Sequence, residues 1–159
     1  MAINIVLVEP EIAKNASIIA RMCAQLNCKL HIIKPLGFSL DDHDFTHGGG
    51  GAMEYWPYID GTIYKDFNTF FDKYKNHRIF ITSSKGTEYY SNIKFQDEDV
   101  IIFGNDSTGL SKEILDTYKN NCIKIPVNKL IKDKPLSLST SVIIIASEAL
   151  RQLNFPNLV

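Results

Sequence analysis

Five short apolar runs, at residues 3–8, 29–33, 78–82, 100–103 and 122–125, constrain this chain most, because each is rich in β-branched residues and nearly unbroken by polar ones. Strands of that kind are buried on both faces, which is the pattern of a parallel sheet covered by helices. The first run ends at Glu9-Pro10 and the second runs up to Pro35-Leu-Gly37. Between them, residues 11–26 bring Ile12, Ile19, Met22, Cys23 and Leu26 close to helical spacing, so the chain opens as β-α-β with a parallel strand pair. Residues 64–75 carry Tyr64, Phe67, Phe70, Phe71 and Tyr74 three and four apart and predict a helix. Residues 111–119 begin with a Ser-x-Glu start signal, and 139–153 form a long last helix. The expected class is α/β, a three-layer open parallel sheet.

At 159 residues, with no internal repeat or linker, the chain is expected to be a single domain spanning 1–159. Seventeen Lys and Arg against eighteen Asp and Glu leave a formal charge of -1, so no general cationic field is available to hold a polyanion. A nucleic-acid surface would have to be local. No apolar run approaches the ~20 residues of a membrane span and the N-terminus lacks a basic leader region. The expectation is a cytoplasmic protein without membrane attachment. Cys23, Cys28 and Cys122 are odd in number and form no CxxC pair, which argues against a disulfide framework or a thiolate zinc site. Cys23 and Cys122 lie in apolar runs and read as packing groups.

The least regular stretch is 38–56, with Asp41-Asp-His-Asp44, His47 and four glycines at 48–51. It reads as a mobile loop whose glycines form a solvated hinge. Its acids and imidazoles lack any standard ligand spacing, and no metal is expected. Gly104-Asn-Asp-Ser-Thr-Gly109 follows a predicted strand and precedes a helix, where open α/β sheets bind ligands. It lacks the middle glycine of a dinucleotide fingerprint, and no GxxxxGK[ST] occurs. A plain turn capped by Asp106 or Ser107 is the other reading. The aromatic series 55–74 reads as core packing. Lys129, Lys132 and Lys134 form the one basic cluster, ahead of the last helix. His43, His47 and His77 occupy loop-like contexts and His31 a strand, so no hydrolase triad assembles.

Three stretches together carry more information: Glu9-Pro-Glu-Ile-Ala-Lys-Asn15 continuing to Arg21-Met-Cys-Ala24, Phe103-Gly-Asn-Asp-Ser-Thr-Gly-Leu110, and Ile125-Pro126 followed by Leu136-Ser-Leu-Ser139 and Glu148-Ala-Leu-Arg-Gln152. In order and spacing the chain resembles the SPOUT superfamily of RNA methyltransferases, most of all the small tRNA wobble-position 2'-O-methyltransferases. Leu30-His-Ile-Ile33, Pro35-Leu-Gly-Phe38, Asp41-Asp42 and Ser84-Lys-Gly-Thr87 extend the likeness over nearly the whole chain.

The resemblance implies a C-terminal deep trefoil knot, against the general avoidance of knots. It implies S-adenosyl-L-methionine bound against backbone near Ile81, Gly104, Ile125, Pro135 and Leu138. It implies a homodimer packed through the first and last helices, with Arg21 reaching toward the other subunit's cofactor. The reaction implied is attack of the ribose 2'-hydroxyl of nucleotide 34, in a tRNA anticodon stem-loop, on the sulfonium methyl. Arg21 would anchor phosphate and activate the ribose oxygen electrostatically, being always protonated. Asn15 and Ser139 would orient substrate or knot backbone; read locally, each could be a helix N-cap.

Departures from the family pattern are Ser17 for a glycine, Ile18 for an asparagine, Asp106 for a glutamate, Lys134-Pro135 for the start of an Arg-Ser-Leu-Asn-Leu-Ser loop, Ser147 for a tyrosine, and 43–51 for a basic stretch. These predict weaker substrate-side hydrogen bonding and the loss of several phosphate ion pairs. Two alternatives follow: a cofactor- or RNA-binding relative without transfer activity, and a 2'-O-methyltransferase of another RNA.

Overall fold

The computed structural model describes residues 2–159. Seven parallel strands form one sheet in the order β3-β2-β1-β6-β4-β7-β5. They are β1 (Asn4–Val8), β2 (Lys29–Ile33), β3 (Gly61–Tyr64), β4 (Ile79–Thr82), β5 (Glu88–Tyr89), β6 (Val100–Phe103) and β7 (Cys122–Lys124). The helices are α1 (Ala13–Gln25), α2 (His43–Thr46), α3 (Ala52–Tyr55), α4 (Phe67–Tyr74), α5 (Lys112–Thr117) and α6 (Leu138–Gln152).

Side-chain alternation along the strands builds the three layers. Ile3, Ile5 and Leu7 point to the face covered by Ile19 and Cys23 of α1 and by Val142 and Ile145 of α6. Val6 and Val8 point to the opposite face, against Phe70 and Tyr74 of α4 and Ile114 of α5. Ile5, Ile101 and Ile102 have no exposed surface, and such burial contributes roughly 1.5–3 kcal/mol per side chain. Cys23 and Cys122 are buried packing groups as expected, and so is Cys28.

β2 and β6 have the expected limits, and β1, β4 and β7 differ by one residue at an end. The helix expected over 64–75 is corrected: Tyr64 closes the strand β3, and α4 begins only at Phe67. Its N-cap is Asp66, whose side chain accepts from the Thr69 N–H at 2.8 Å. Tyr64 lies three residues before Phe67, which imitates a helical stripe, while Gly61-Thr-Ile-Tyr64 is too short to announce a strand.

The stretch 38–56 is not an open loop. It contains α2 and α3, with Phe45 and Ala52 buried. Nor are its glycines a solvated hinge. Gly50 is buried, and a Cβ there would collide with the Ser17 carbonyl and lie 2.8 Å from Ile18 Cα. Close backbone approach, not freedom of motion, is what glycine provides at this position. The acids and imidazoles of the stretch are engaged locally: Asp42 caps α2 through the Asp44 N–H, and the His43 and His47 rings stack at 5.6 Å.

A polar network is buried between β1, β2 and β3. Asn4 Nδ2 donates to the Glu98 carbonyl, so Asn4 Oδ1 faces His31 Nε2 at 2.9 Å and accepts its proton. Tyr64 Oη lies 3.3 Å from His31 Nδ1 and donates to it. In the neutral form, protonated at Nε2, both ring nitrogens have a partner. Burial first, then Lys73, Lys29 and His77, pushes the His31 pKa down to about 4. As pH falls below about 6.5 the unfolded chain takes up a proton that the folded chain refuses, so stability declines from there to about pH 4 and is unaffected by this group above pH 7. Urea denaturation at pH 7 and pH 5 is expected to show a loss of about 2 kcal/mol from this ring. In His31→Gln the difference should shrink by that amount, and an unchanged pH dependence would refute the assignment.

Candidate active site

The sheet order reverses at its centre. β2 and β3 lie to one side of β1, while β6 pairs with β1 on the other side and separates it from β4. In open α/β sheets ligands bind beyond the strand carboxyl ends at such a reversal. Here the connections after β4, β6 and β7 leave side by side. The Ser83 N–H donates to the Ile123 carbonyl at 3.1 Å, and a Cβ on Gly86 would lie 2.9 Å from Ile123 backbone, so the turn after β4 rests on β7.

Gly104 opens the next turn. A Cβ there would meet Leu110 N at 2.5 Å and Gly109 Cα at 2.6 Å, so in this chain the glycine lets the 104–109 turn close on itself. The other reading of this stretch, a plain turn capped by Asp106 or Ser107, names the wrong cap. The cap is Asn105, whose Oδ1 accepts from the N–H groups of Thr108 (2.8 Å) and Gly109 (3.0 Å).

Asp106 is thereby left to reach across to α1. Its carboxylate accepts from the N–H groups of Glu11 (2.7 Å) and Ile12 (3.0 Å) and from Asn15 Nδ2 (2.8 Å). Ile12, the residue at the N-cap position of α1, has no side chain able to cap it; the Asp106 carboxylate instead binds the backbone entering the helix, at Glu11 and Ile12. Asn15 is consequently not an N-cap. With Nδ2 held by Asp106, its Oδ1 accepts from Ser139 Oγ at 3.2 Å. Ser139 is not a cap either: Ser137 caps α6 through the Thr140 N–H, and Ser139 is buried in the first turn. The line Asp106–Asn15–Ser139 thus joins three segments far apart in sequence, and its hydrogen-bond polarity is fixed from the carboxylate outward.

The other residues singled out from the sequence are disposed around this line. Ile81 is wholly buried in β4, so only its backbone could meet a ligand, and Gly104 is buried. Ile125 is half-buried after β7, Pro135 is exposed, and Leu138 is buried at the start of α6. Residues 126–137 are exposed throughout, and Lys129, Lys132 and Lys134 lie among them. Arg21 stands apart. It is exposed, with its guanidinium 5.0 Å over the Tyr55 ring, and it lies six residues beyond Asn15, about 9 Å along α1 and well round the helix.

The motif Glu148-Ala-Leu-Arg-Gln152 holds structure together. Gln152 Oε1 accepts from the Phe95 N–H and Nε2 donates to the Ile93 carbonyl, both at 2.9 Å. Hydrogen bonds from Arg151 and Gln152 pull the Glu148 pKa down to about 2. Sequence reasoning missed Ser17 and Tyr55. The signal available for Ser17 was a polar residue among the apolar positions of α1, facing a run of glycines.

A seven-stranded parallel sheet with a reversal at its centre, three converging carboxyl-end turns and a polar line beneath them defines an α/β protein of the open-sheet, ligand-binding class. Residues 2–147 match the SpoU rRNA Methylase family, and the chain belongs to that family. A relative from Geobacillus stearothermophilus is 37% identical over 99% of both chains. The tRNA (cytidine(34)-2'-O)-methyltransferase of Escherichia coli (strain K12) is 35% identical, over 99% of this chain and 98% of that one. A solved structure described as giving insights into the 2-OH methylation of C/U34 on tRNA superposes with a TM-score of 0.88 at 33% identity, over 96% of this chain and 97% of that one.

Removing the Asp106 carboxylate leaves two backbone N–H groups and the Asn15 amide without their acceptor. Asp106→Ala is therefore expected to cost about 1–3 kcal/mol in urea denaturation. Asp106→Glu should recover part of that loss, and wild-type stability in Asp106→Ala would remove the carboxylate from this role.

Proposed function

We propose that this chain transfers the methyl group of S-adenosyl-L-methionine to the ribose 2'-oxygen of nucleotide 34 in a tRNA anticodon stem-loop, in the cytoplasm, and that residues 1–159 act as one domain. The observation that carries this reading is the match to the Escherichia coli tRNA (cytidine(34)-2'-O)-methyltransferase, which extends over 99% of this chain and 98% of that one.

The residues around the converging turns fit the cofactor chemically. Ile125, Pro135 and Leu138 offer apolar surface to a flat adenosyl group, and backbone at Ile81, Gly104 and the 125–138 connection offers hydrogen-bonding groups that discriminate it. When bound, the cofactor would supply an electrophilic sulfonium methyl, so that a C–O bond replaces the S–C bond, the hydroxyl proton passes to solvent water and S-adenosylhomocysteine is released. The protein must align the reacting atoms and offset the charge that develops on oxygen. Asn15 and Ser139, already locked by Asp106, hold the approach to the 2'-hydroxyl. Arg21, a permanent cation, anchors phosphate and stabilises the developing alkoxide.

Arg21 stacks on Tyr55 on a different side of α1 from Asn15, about 9 Å further along the helix. We assign it to the site of a second copy, in a homodimer packed through α1 and α6. Exposed Ile12 ahead of α1 and exposed Ile143 on α6 support that surface. A C-terminal trefoil knot completes the reading. Its support is the sheet order, in which β6 lies between β1 and β4 and β7 lies beyond β4. Lys129, Lys132 and Lys134, exposed beside the site, supply the local positive charge that the 43–51 stretch lacks.

Undermodified tRNA incubated with tritiated cofactor should acquire label at the 2'-oxygen of nucleotide 34; label at other nucleotides would overturn the substrate assignment. Arg21→Ala is expected to lower turnover at least about a hundredfold with calorimetric cofactor affinity unchanged. Wild-type turnover in that variant would remove Arg21 from the reaction.

A further inference from the structure

Arg21 has an uncommon setting for a cation that must be placed accurately. Its side chain is exposed, and among the described residues none of the ion pairs includes it. A long side chain in that position samples many rotamers. What meets it is the face of Tyr55, 5.0 Å from ring centroid to the guanidinium carbon. A carboxylate partner would fix the guanidinium by occupying its N–H groups. An aromatic face fixes it from the side and leaves the N–H groups around its edge free for a phosphate or a developing alkoxide.

Tyr55 is the last residue of α3, a four-residue helix that cannot hold itself. It is held by Ser17, one turn before Arg21 on the same face of α1. The Ser17 hydroxyl donates to the Gly48 carbonyl at 2.9 Å and accepts from the N–H groups of Gly50 (3.1 Å) and Ala52 (3.2 Å), which uses its full hydrogen-bonding capacity. Gly50, without a Cβ, lies directly on the Ser17 backbone. The start of α3 is thus fastened at Ser17, and its end delivers the ring at Arg21, one turn further along both helices.

We propose that Tyr55 is a positioning residue for Arg21, and that the clasp between Ser17 and the glycines of 48–51 sets Tyr55 in place. The inference rests on the methyl-transfer reading for the role of Arg21, while the stacking itself is independent of it. Ser17 thereby becomes a working part of this chain's site and not merely a lost glycine.

The test compares Tyr55→Phe, Tyr55→Leu and Ser17→Ala in the full-length protein. Tyr55→Phe keeps the ring face and should retain kcat within about twofold. Tyr55→Leu should lower kcat about tenfold, with the cofactor Kd and Tm at wild-type values. In an Arg21→Lys background, which loses the planar fork, Tyr55→Leu should have little further effect. Equal impairment of Tyr55→Phe and Tyr55→Leu, or wild-type kcat in Tyr55→Leu, would overturn the proposal. So would an undiminished Tyr55→Leu effect in the Arg21→Lys background.

A second readout needs no RNA. The Arg21 Nε–H resonance, identified by its absence in Arg21→Lys, should carry a ring-current shift that persists in Tyr55→Phe and disappears in Tyr55→Leu and Ser17→Ala. An Arg21 resonance unmoved by Tyr55→Leu would refute the stacking. A normal ring-current result without label on nucleotide 34 would instead sink the functional reading and leave the contact standing.

Discussion

Three N–H donors converge on the carboxylate of Asp106: two from the backbone that enters α1 and one from the side chain of Asn15. This bond set ties the turn after β6 to the start of α1, ninety or more residues away along the chain. A helix start is electropositive and carries orphan N–H groups. With Ile12 at the N-cap position, α1 would leave them to solvent. Asp106 satisfies the Ile12 N–H among them and sets a negative charge at the helix entry, which couples the start of α1 to the closure of the carboxyl-end cleft. The same carboxylate also decides which way the Asn15 amide points, because an ionised acid accepts only. Ser139 on α6 then meets the Asn15 oxygen and donates to it, with Ser137 Oγ a second neighbour at 3.4 Å. An aspartate is shorter than the glutamate of the family pattern, yet here it reaches all three donors because Asn105 has taken over the local capping of its turn.

Much of the sheet was legible in the sequence because its central strands are buried on both faces, and continuous β-branched runs of that length have few other uses. β3 was not, because Tyr64 falls in register with the aromatic stripe of α4 and the strand pairs only with β2 at the sheet edge. At the site, residue types were legible and partners were not. Asn15 and Ser139 each have the look of a cap, and the choice between cap and cross-chain bond depends on Asp106, a contact with no local signature. At Gly104 the sequence showed a glycine but not the obstacle that requires it, which is the backbone of Gly109 and Leu110 inside its own turn. The four glycines misled most, since flexibility and close approach both call for glycine, and only the facing residue, Ser17, distinguishes them.

Ser17, Ile18 and the glycines belong to one packing solution. Gly50 contacts the backbone of both α1 residues, and a Cβ on Gly49 would lie 3.6 Å from Ile18 Cγ1. A basic stretch in place of 43–51 would contribute charge but could not lie this close to α1. The chain therefore exchanges long cationic side chains at this point for backbone contact and a buried serine. The exchange removes favourable interaction with polyanions and adds geometric definition to whatever α3 carries, which is Tyr55.

The formal charge of -1 makes that exchange consequential, because association with RNA cannot rely on an overall field. Positive charge has to be concentrated where phosphates arrive, and the 126–137 connection carries Lys129, Lys132 and Lys134 beside Asp133. That same connection exposes Leu130, at 83%, together with Ile131 and Val127. A segment presenting lysines and bare apolar side chains together has reason to be covered on both counts: phosphates neutralise the first, and an apolar ligand surface removes the second from water. The connection ends at the start of α6, where Ser139 is tied to Asp106 in the turn after β6 by two hydrogen bonds that share Asn15.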